Sequence, residues 1–155
     1  MNRYHQLPRA ILGSMAAETP RPKVGVGVIF VRNGMVFLAK RHGAHGEDTW
    51  ASAGGHLENG ETLEECGRRE SMEELGLTVG DLRYLCVSNI IAYDKHYVDI
   101  EFVGDIGDQE PRLMEPDAFI DSGWFPFDSL PEPLFHAMRY ALDSYRTGQQ
   151  YFPGD

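Results

Sequence analysis

From Lys23 the chain reads Lys-Val-Gly-Val-Gly-Val-Ile-Phe-Val, with branched residues at every second position and glycine between them. A period of two is that of a strand, and the bare glycine side predicts that one face lies very close to other backbone. Asn33-Gly34 predicts a tight hairpin turn, with Met35 to Lys40 as the returning strand. The polar stretch Arg41 to Asp48 reads as a loop, and Gly54-Gly55 opens a second loop that ends at a helix start. There Thr62 and Glu65 form a T-x-x-E capping box, which predicts a helix over 63–75 stopped by Gly76 in the left-handed conformation. Two β-rich segments follow, over about 82–92 and 96–106, then an irregular acidic and proline-containing loop from Asp108 to Asp117. Trp124-Phe125 closes a last short strand. From Leu134 the apolar spacing Leu134, Ala137, Met138, Ala141, Leu142, Tyr145 is helical and ends at Gly148.

At 155 residues and 42% hydrophobic the chain suits one domain, expected over 21–150, with an N-terminal arm over 1–20 and a short tail over 151–155. Cys66 and Cys86 have neither zinc-ligand spacing nor a disulfide pattern, which suits a reducing, cytoplasmic setting. No apolar run approaches a bilayer span, so no membrane partner is expected. A net charge of −10 without basic clusters argues against polymeric nucleic acid. A small polyphosphate remains compatible if divalent cations stand between the two sets of negative charge.

The helix over 63–75 carries the chemistry. On a helical wheel Glu70 and Glu74 share the arc of Leu63, Cys66 and Gly67, with Glu73 beside it. Carboxylates turned toward a desolvated surface are costly unless paired or coordinated. Hard oxygen ligands of this kind select Mg²⁺ or Mn²⁺ and leave positions for water and phosphate. A merely solvated acidic helix is the plain alternative, but the surrounding spacing weighs against it. Gly55, five residues, Glu61, seven residues, Arg69-Glu70, then Glu73-Glu74 and Gly76-Leu77 reproduces the pattern GX5EX7REUXEEXGU, U being aliphatic. Chance coincidence of its seven fixed identities is on the order of 10⁻⁸ per starting position.

On these residues the chain resembles the Nudix hydrolases from about Lys23 to the final helix. The resemblance implies an α/β (α+β) fold, a mixed β-sheet sandwiched between α-helices, and Mg²⁺ or Mn²⁺ as cofactor. It implies Glu70, Glu74 and Glu73 as metal-holding acids, the Gly55 carbonyl as a further ligand, and a Glu61–Arg69 salt bridge clamping loop to helix. Glu70 is the first choice to take a proton from the attacking water. Two positions depart from the pattern: Ser71 stands at the aliphatic site, and Ala53 stands where many members have proline.

Gly54-Gly55-His56-Leu57-Glu58, His96-Tyr97-Val98, Glu115-Pro116-Asp117 and Leu134-Phe135 are similar to a MutT-related subgroup. That similarity implies hydrolysis of a nucleoside triphosphate, including modified ones, to the monophosphate and diphosphate. Arg41 is placed to hold a phosphate, Gly54, His56 and Phe135 to contact substrate, and Glu115, with Asp117 behind it, to supply an extra base or metal ligand. His136 follows Phe135 where relatives carry tryptophan. Trp50 and Trp124 read as core residues, and His42, His45 and His56 as loop histidines without a ligand role. Tyr93 falls near a tyrosine of dinucleoside-polyphosphate members, so a dinucleoside polyphosphate, ADP-ribose or another nucleoside diphosphate derivative is the alternative substrate. A third reading, a nucleotide-binding module without turnover, predicts lost acids, whereas every charged position is present. Size and apolar strand edges make a homodimer an expectation as well.

Overall fold

The computed structural model describes residues 18–43 and 45–154, so most of the arm expected over 1–20 lies outside the described residues. In chain order the elements are β1 (Lys23–Ile29), β2 (Val31–Arg32), β3 (Met35–Arg41), β4 (Trp50–Ala51), β5 (Ala53–His56), α1 (Leu63–Leu75), β6 (Leu82–Ala92), β7 (Lys95–Gly104), β8 (Phe119–Pro126), α2 (His136–Thr147) and β9 (Tyr151–Phe152). One sheet has the order β5-β1-β7-β6-β9. It is mixed: β1 runs antiparallel to β5 but parallel to β7, β7 antiparallel to β6, and β6 parallel to β9. In the second sheet β3 pairs with β2, β4 and β8, all antiparallel.

The alternation of β1 divides the core in two. Val26, Val28 and Phe30 pack with Cys66 and Leu75 of α1 and with Ile100 and Phe102 of β7. Ile29, on the opposite face, packs with Met138, Ala141 and Leu142 of α2. The two helices therefore cover opposite faces of one sheet, the expected sandwich.

The start and stop of α1 follow its sequence signals. Thr62 Oγ1 accepts from Glu65 N (3.1 Å), and Glu65 Oε2 accepts from Thr62 N (2.8 Å). Gly76, at φ 65°, donates its N–H to Met72 O, and Leu77 N–H reaches Ser71 O. Ser71 is fully buried and its hydroxyl donates to Gly67 O at 2.7 Å, so a polar residue satisfies itself where the pattern has an aliphatic one.

Three expectations need correction. Gly54 and Gly55 do not open a loop but pair in β5 with Gly27 and Val26, because a side-chain-free strand is what the close approach to β1 requires. The chain after 150 is no loose tail: β9 adds to the edge of β6, with Phe152 buried against α2. The last helix starts at His136, two residues late, because Leu134 is held in a bridge with Trp50.

The hairpin between β6 and β7 turns at Tyr93 and Asp94, with φ of 55° and 57°, two left-handed residues without a glycine. Tyr93 nevertheless stacks face to face on Phe135, centroids 5.6 Å apart.

Thr62→Ala removes one half of the capping box and is expected to cost about 1 kcal/mol. Thermal melting by circular dichroism should show it as a fall in Tm of about 3 °C, with Thr62→Ser close to the parent; an unchanged Thr62→Ala melt would mean that the cap contributes nothing.

Candidate active site

The site is built where β5 crosses the buried side of α1. A Cβ at Gly54 would come within 2.8 Å of Val26 O, and one at Gly55 would overlap the Glu70 carboxylate. The bare Gly54 lets β5 close on β1, and the bare Gly55 lets strand and helix touch. Gly54 uses the contact: its N–H donates to Glu74 Oε1 at 2.8 Å.

Glu74 is 6% exposed. Burial pushes its carboxyl up to about 8; the charges of Glu70 and Glu115 add to the shift, while the Gly54 hydrogen bond and Arg41 oppose it. Glu70 is also raised, first by burial, then by Glu73 and Glu115, with Arg69 opposing. Both acids thus feel Glu115. The loop that carries it is stitched to the end of α1, as Arg112 N–H donates to Leu75 O and Met114 N–H to Glu74 O. Asp117 is exposed in the same loop.

Arg69 orders the approach. Its Nε and Nη2 donate to the two Glu61 oxygens at 2.6 and 3.0 Å, Nη2 also to His56 O at 3.1 Å, and Nη1 to Glu70 Oε1 at 2.7 Å. One guanidinium therefore fastens the segment before α1 and fixes the direction of Glu70. Hydrogen bonding from Arg69 holds the Glu61 carboxyl at about 2. Glu73 is half-exposed, and its Oε2 accepts from the same Arg69 Nη1 at 3.4 Å.

Among the described residues no three His, Cys, Asp or Glu side chains close on a single point. What is present is a buried carboxylate, Glu74, and a partly buried one, Glu70, beside the Gly55 backbone, with a third acid in reach by its field. This all-oxygen, open set fits a Mg²⁺ or Mn²⁺ that keeps water and phosphate as its other ligands.

A cavity of about 320 Å³ runs from Glu70 and Gly55 along β5 and β7 to the first residues of α2. Arg41, Tyr93, Tyr97 and Phe135 line its wall. Arg41 lies 4.5 Å over the Phe135 ring. Among the described residues its guanidinium makes one hydrogen bond, Nε to His45 O at 3.3 Å, and burial lowers its pKa against the pull of Glu74. His56 stacks on Tyr97 (centroids 5.5 Å) with Nε2 3.1 Å from its hydroxyl, and His45 also stacks on Tyr97. Burial, then nearby cationic side chains, lowers the pKa of both imidazoles. His42 instead faces Glu47 on the surface at 3.3 Å. Trp50 packs edge-on to Phe125 and Trp124 on Phe37, both outside the cavity.

The structure thus joins Gly54 to Glu74 and Arg69 to Glu61 and Glu70, sets Gly55 against Glu70, brings Glu115 close enough to shift both Glu70 and Glu74, and places Arg41, His56 and Phe135 along the adjoining cavity. Sequence reasoning missed Asp99 and Glu101, which lie in the cavity floor. The signal was present: in Tyr97-Val98-Asp99-Ile100-Glu101-Phe102 the acids share one strand face, opposite the apolar one.

An acid whose pKa is raised on folding binds its proton more tightly in the folded chain. Its stabilising effect is complete below the unfolded value and is lost as pH rises through the folded one. For Glu74 the window is about 4.5 to about 8, and the loss is at most about 1.4 kcal/mol per pH unit. With EDTA present, Tm should fall from pH 5 to pH 8. Glu74→Gln should flatten that slope, and a slope equal to the parent's would show that Glu74 is not the titrating group.

Comparison with known protein families matches the NUDIX domain to residues 21–145. The MutT NUDIX hydrolase of Burkholderia pseudomallei superimposes with a TM-score of 0.77 at 38% identity, over 81% of this chain and 98% of that one. The NAD-capped RNA hydrolase NudC of Chromobacterium violaceum is 36% identical over 106 residues, 67% of this chain and 38% of that protein. The oxidized purine nucleoside triphosphate hydrolase of Danio rerio is 32% identical over 110 residues, 67% of this chain and 66% of its own. The chain spans 38% to 39% of the length of the NudC relatives. With the domain match running from before β1 to within α2, and the Gly55-to-Leu77 pattern folded as one strand–helix unit, the chain belongs to the Nudix family.

Proposed function

We propose that the protein is a divalent-cation-dependent hydrolase that cleaves a nucleoside triphosphate, modified ones included, to nucleoside monophosphate and diphosphate. The observation that carries this reading is the pair of neighbouring acids on α1, buried Glu74 and partly buried Glu70, with Glu70 at one end of a cavity whose wall bears Arg41. Glu70, Glu74 and the Gly55 carbonyl would hold Mg²⁺ or Mn²⁺, with Glu73 flanking them. The ion would neutralise phosphate charge and lower the pKa of the attacking water. Water attacks phosphorus, the bridging P–O bond breaks, and diphosphate leaves. Glu70 receives the water's proton, with Glu115 as the nearest further base. Arg41 clamps the phosphates from the side away from α1, Gly54 keeps Glu74 in place, and His56 and Phe135 bound the nucleoside end.

The alternative is a nucleoside diphosphate derivative, such as ADP-ribose or a dinucleoside polyphosphate. It is supported by the NAD-capped RNA hydrolases among the relatives and by Tyr93 at the cavity wall. The net charge of −10 favours a small substrate over a polymer under either reading.

A panel of triphosphates, dinucleoside polyphosphates and ADP-ribose, each with Mg²⁺ and Mn²⁺ and with products resolved by chromatography, separates the readings; release of orthophosphate alone would contradict both. Glu74→Gln is expected to lower kcat by about 10²- to 10⁴-fold. Arg69→Ala, which frees Glu70 and the segment before α1, should lower kcat roughly 10- to 100-fold. Arg41→Ala should act mainly on KM, and a loss confined to kcat would remove it from phosphate binding.

A further inference from the structure

β7 directs Asp99 and Glu101 into the cavity floor, opposite Gly25 and Gly27 of β1. A Cβ at Gly25 would lie 2.5 Å from Asp99 Oδ1, and one at Gly27 would overlap the Glu101 carboxyl. The glycines of β1 therefore make room for two acids on their bare face. Both acids are more than nine-tenths buried, with 9% and 5% of their surfaces exposed. Neither is in a salt bridge among the described residues. Among the described residues Asp99 Oδ2 has no hydrogen-bond partner, nor has the hydroxyl of Ser88, its partner in register on β6.

A buried acceptor without a donor is destabilising, and one that lines a cavity can be completed by a ligand that supplies the donor. Burial raises Asp99 to about 6, and Glu101 is raised well above the ordinary carboxylate range, first by burial and then by the Asp99 charge beside it. The two acids share a hydrogen bond, and Asp99 Oδ2, unpartnered among the described residues, is the open acceptor. The aromatic wall of Tyr97 and Phe135 suits a flat ring.

We propose that Asp99, supported by Glu101, is the specificity-determining acceptor of the cavity floor and selects a base whose edge sets a ring N–H beside an exocyclic amine, the 2-amino-6-oxopurine pattern. Both donors point at one carboxylate there. Adenine and cytosine set a lone pair beside their amine, which would face the carboxylate and leave it unpaired. The inference rests on the proposed function only in placing a nucleotide in this cavity.

Calorimetric titration of the full chain with GMP, IMP and AMP in EDTA tests it without turnover. GMP should bind at least about tenfold more tightly than IMP, which lacks the amine, and than AMP. Asp99→Asn should remove that preference, whereas Glu101→Gln, which keeps a neutral donor toward Asp99, should retain it; a merely structural pair would respond alike to both. Equal affinities in the parent, no GMP binding at millimolar concentration, or an unchanged ratio in Asp99→Asn overturns the inference, and if Asp99→Asn does not fold, the parent's three affinities decide. Triphosphate hydrolysis without base preference would overturn this inference and leave the proposed function intact, while GMP-selective binding without turnover of any polyphosphate would do the reverse.

Discussion

The repulsion between Glu70 and Glu74 is the constraint around which the rest of this structure is arranged. Two carboxylates one helical turn apart oppose each other even in water, and partial burial strengthens the effect. Each is restrained by a different device: Glu74 by the backbone N–H of Gly54, Glu70 by Arg69. The first device depends on β5 lying against α1 and β1, which bare glycines permit: a Cβ at 55 would overlap Glu70 and one at 54 would crowd Val26 O. The hydrolytic proposal builds on this arrangement, since a divalent ion held by these acids would relieve the repulsion and present a positive centre to phosphate.

Arg69 links that constraint to the fold. It bonds Glu61 through two nitrogens and also reaches the His56 carbonyl, so the chain between β5 and α1 is held by the same side chain that orients Glu70. The capping box at Thr62 fixes the helix start within the same stretch. Local sequence rules and the ion pair therefore specify one conformation of this segment, a consistency that sharply defined sites require.

Much of this was legible in the sequence because the signals are local. The T-x-x-E cap, Gly76, the Asn33-Gly34 turn and the period of α2 each act over a few residues, and each element forms close to where they place it. The spacing from Gly55 to Leu77 reached further, because a fixed pattern encodes a strand–helix contact that propensity alone does not. What escaped was long-range. Gly54-Gly55 looks like a loop until β1 is beside it, and Tyr151-Phe152 is a strand only because the edge of β6 is free to accept it. Asp99 and Glu101 escaped for the same reason: acids in an alternating strand ordinarily face water, and their burial is decided by which strand and helix cover them. The glycines of β1 announced a close neighbour, but its chemistry came from β7, more than 70 residues away in the chain.

The turn at Tyr93-Asp94 shows a different trade. Holding L-residues in the left-handed region costs about 1–2 kcal/mol each, and asparagine-glycine would relax the hairpin without changing its length. Only a residue with a large flat side chain at 93 can cover Phe135, so the backbone is kept under tension to shelter the cavity wall. Selection for thermal robustness alone would drift toward glycine at this corner and strip the entrance of its aromatic cover, which makes the corner a place where durability and ligand capture pull in opposite directions.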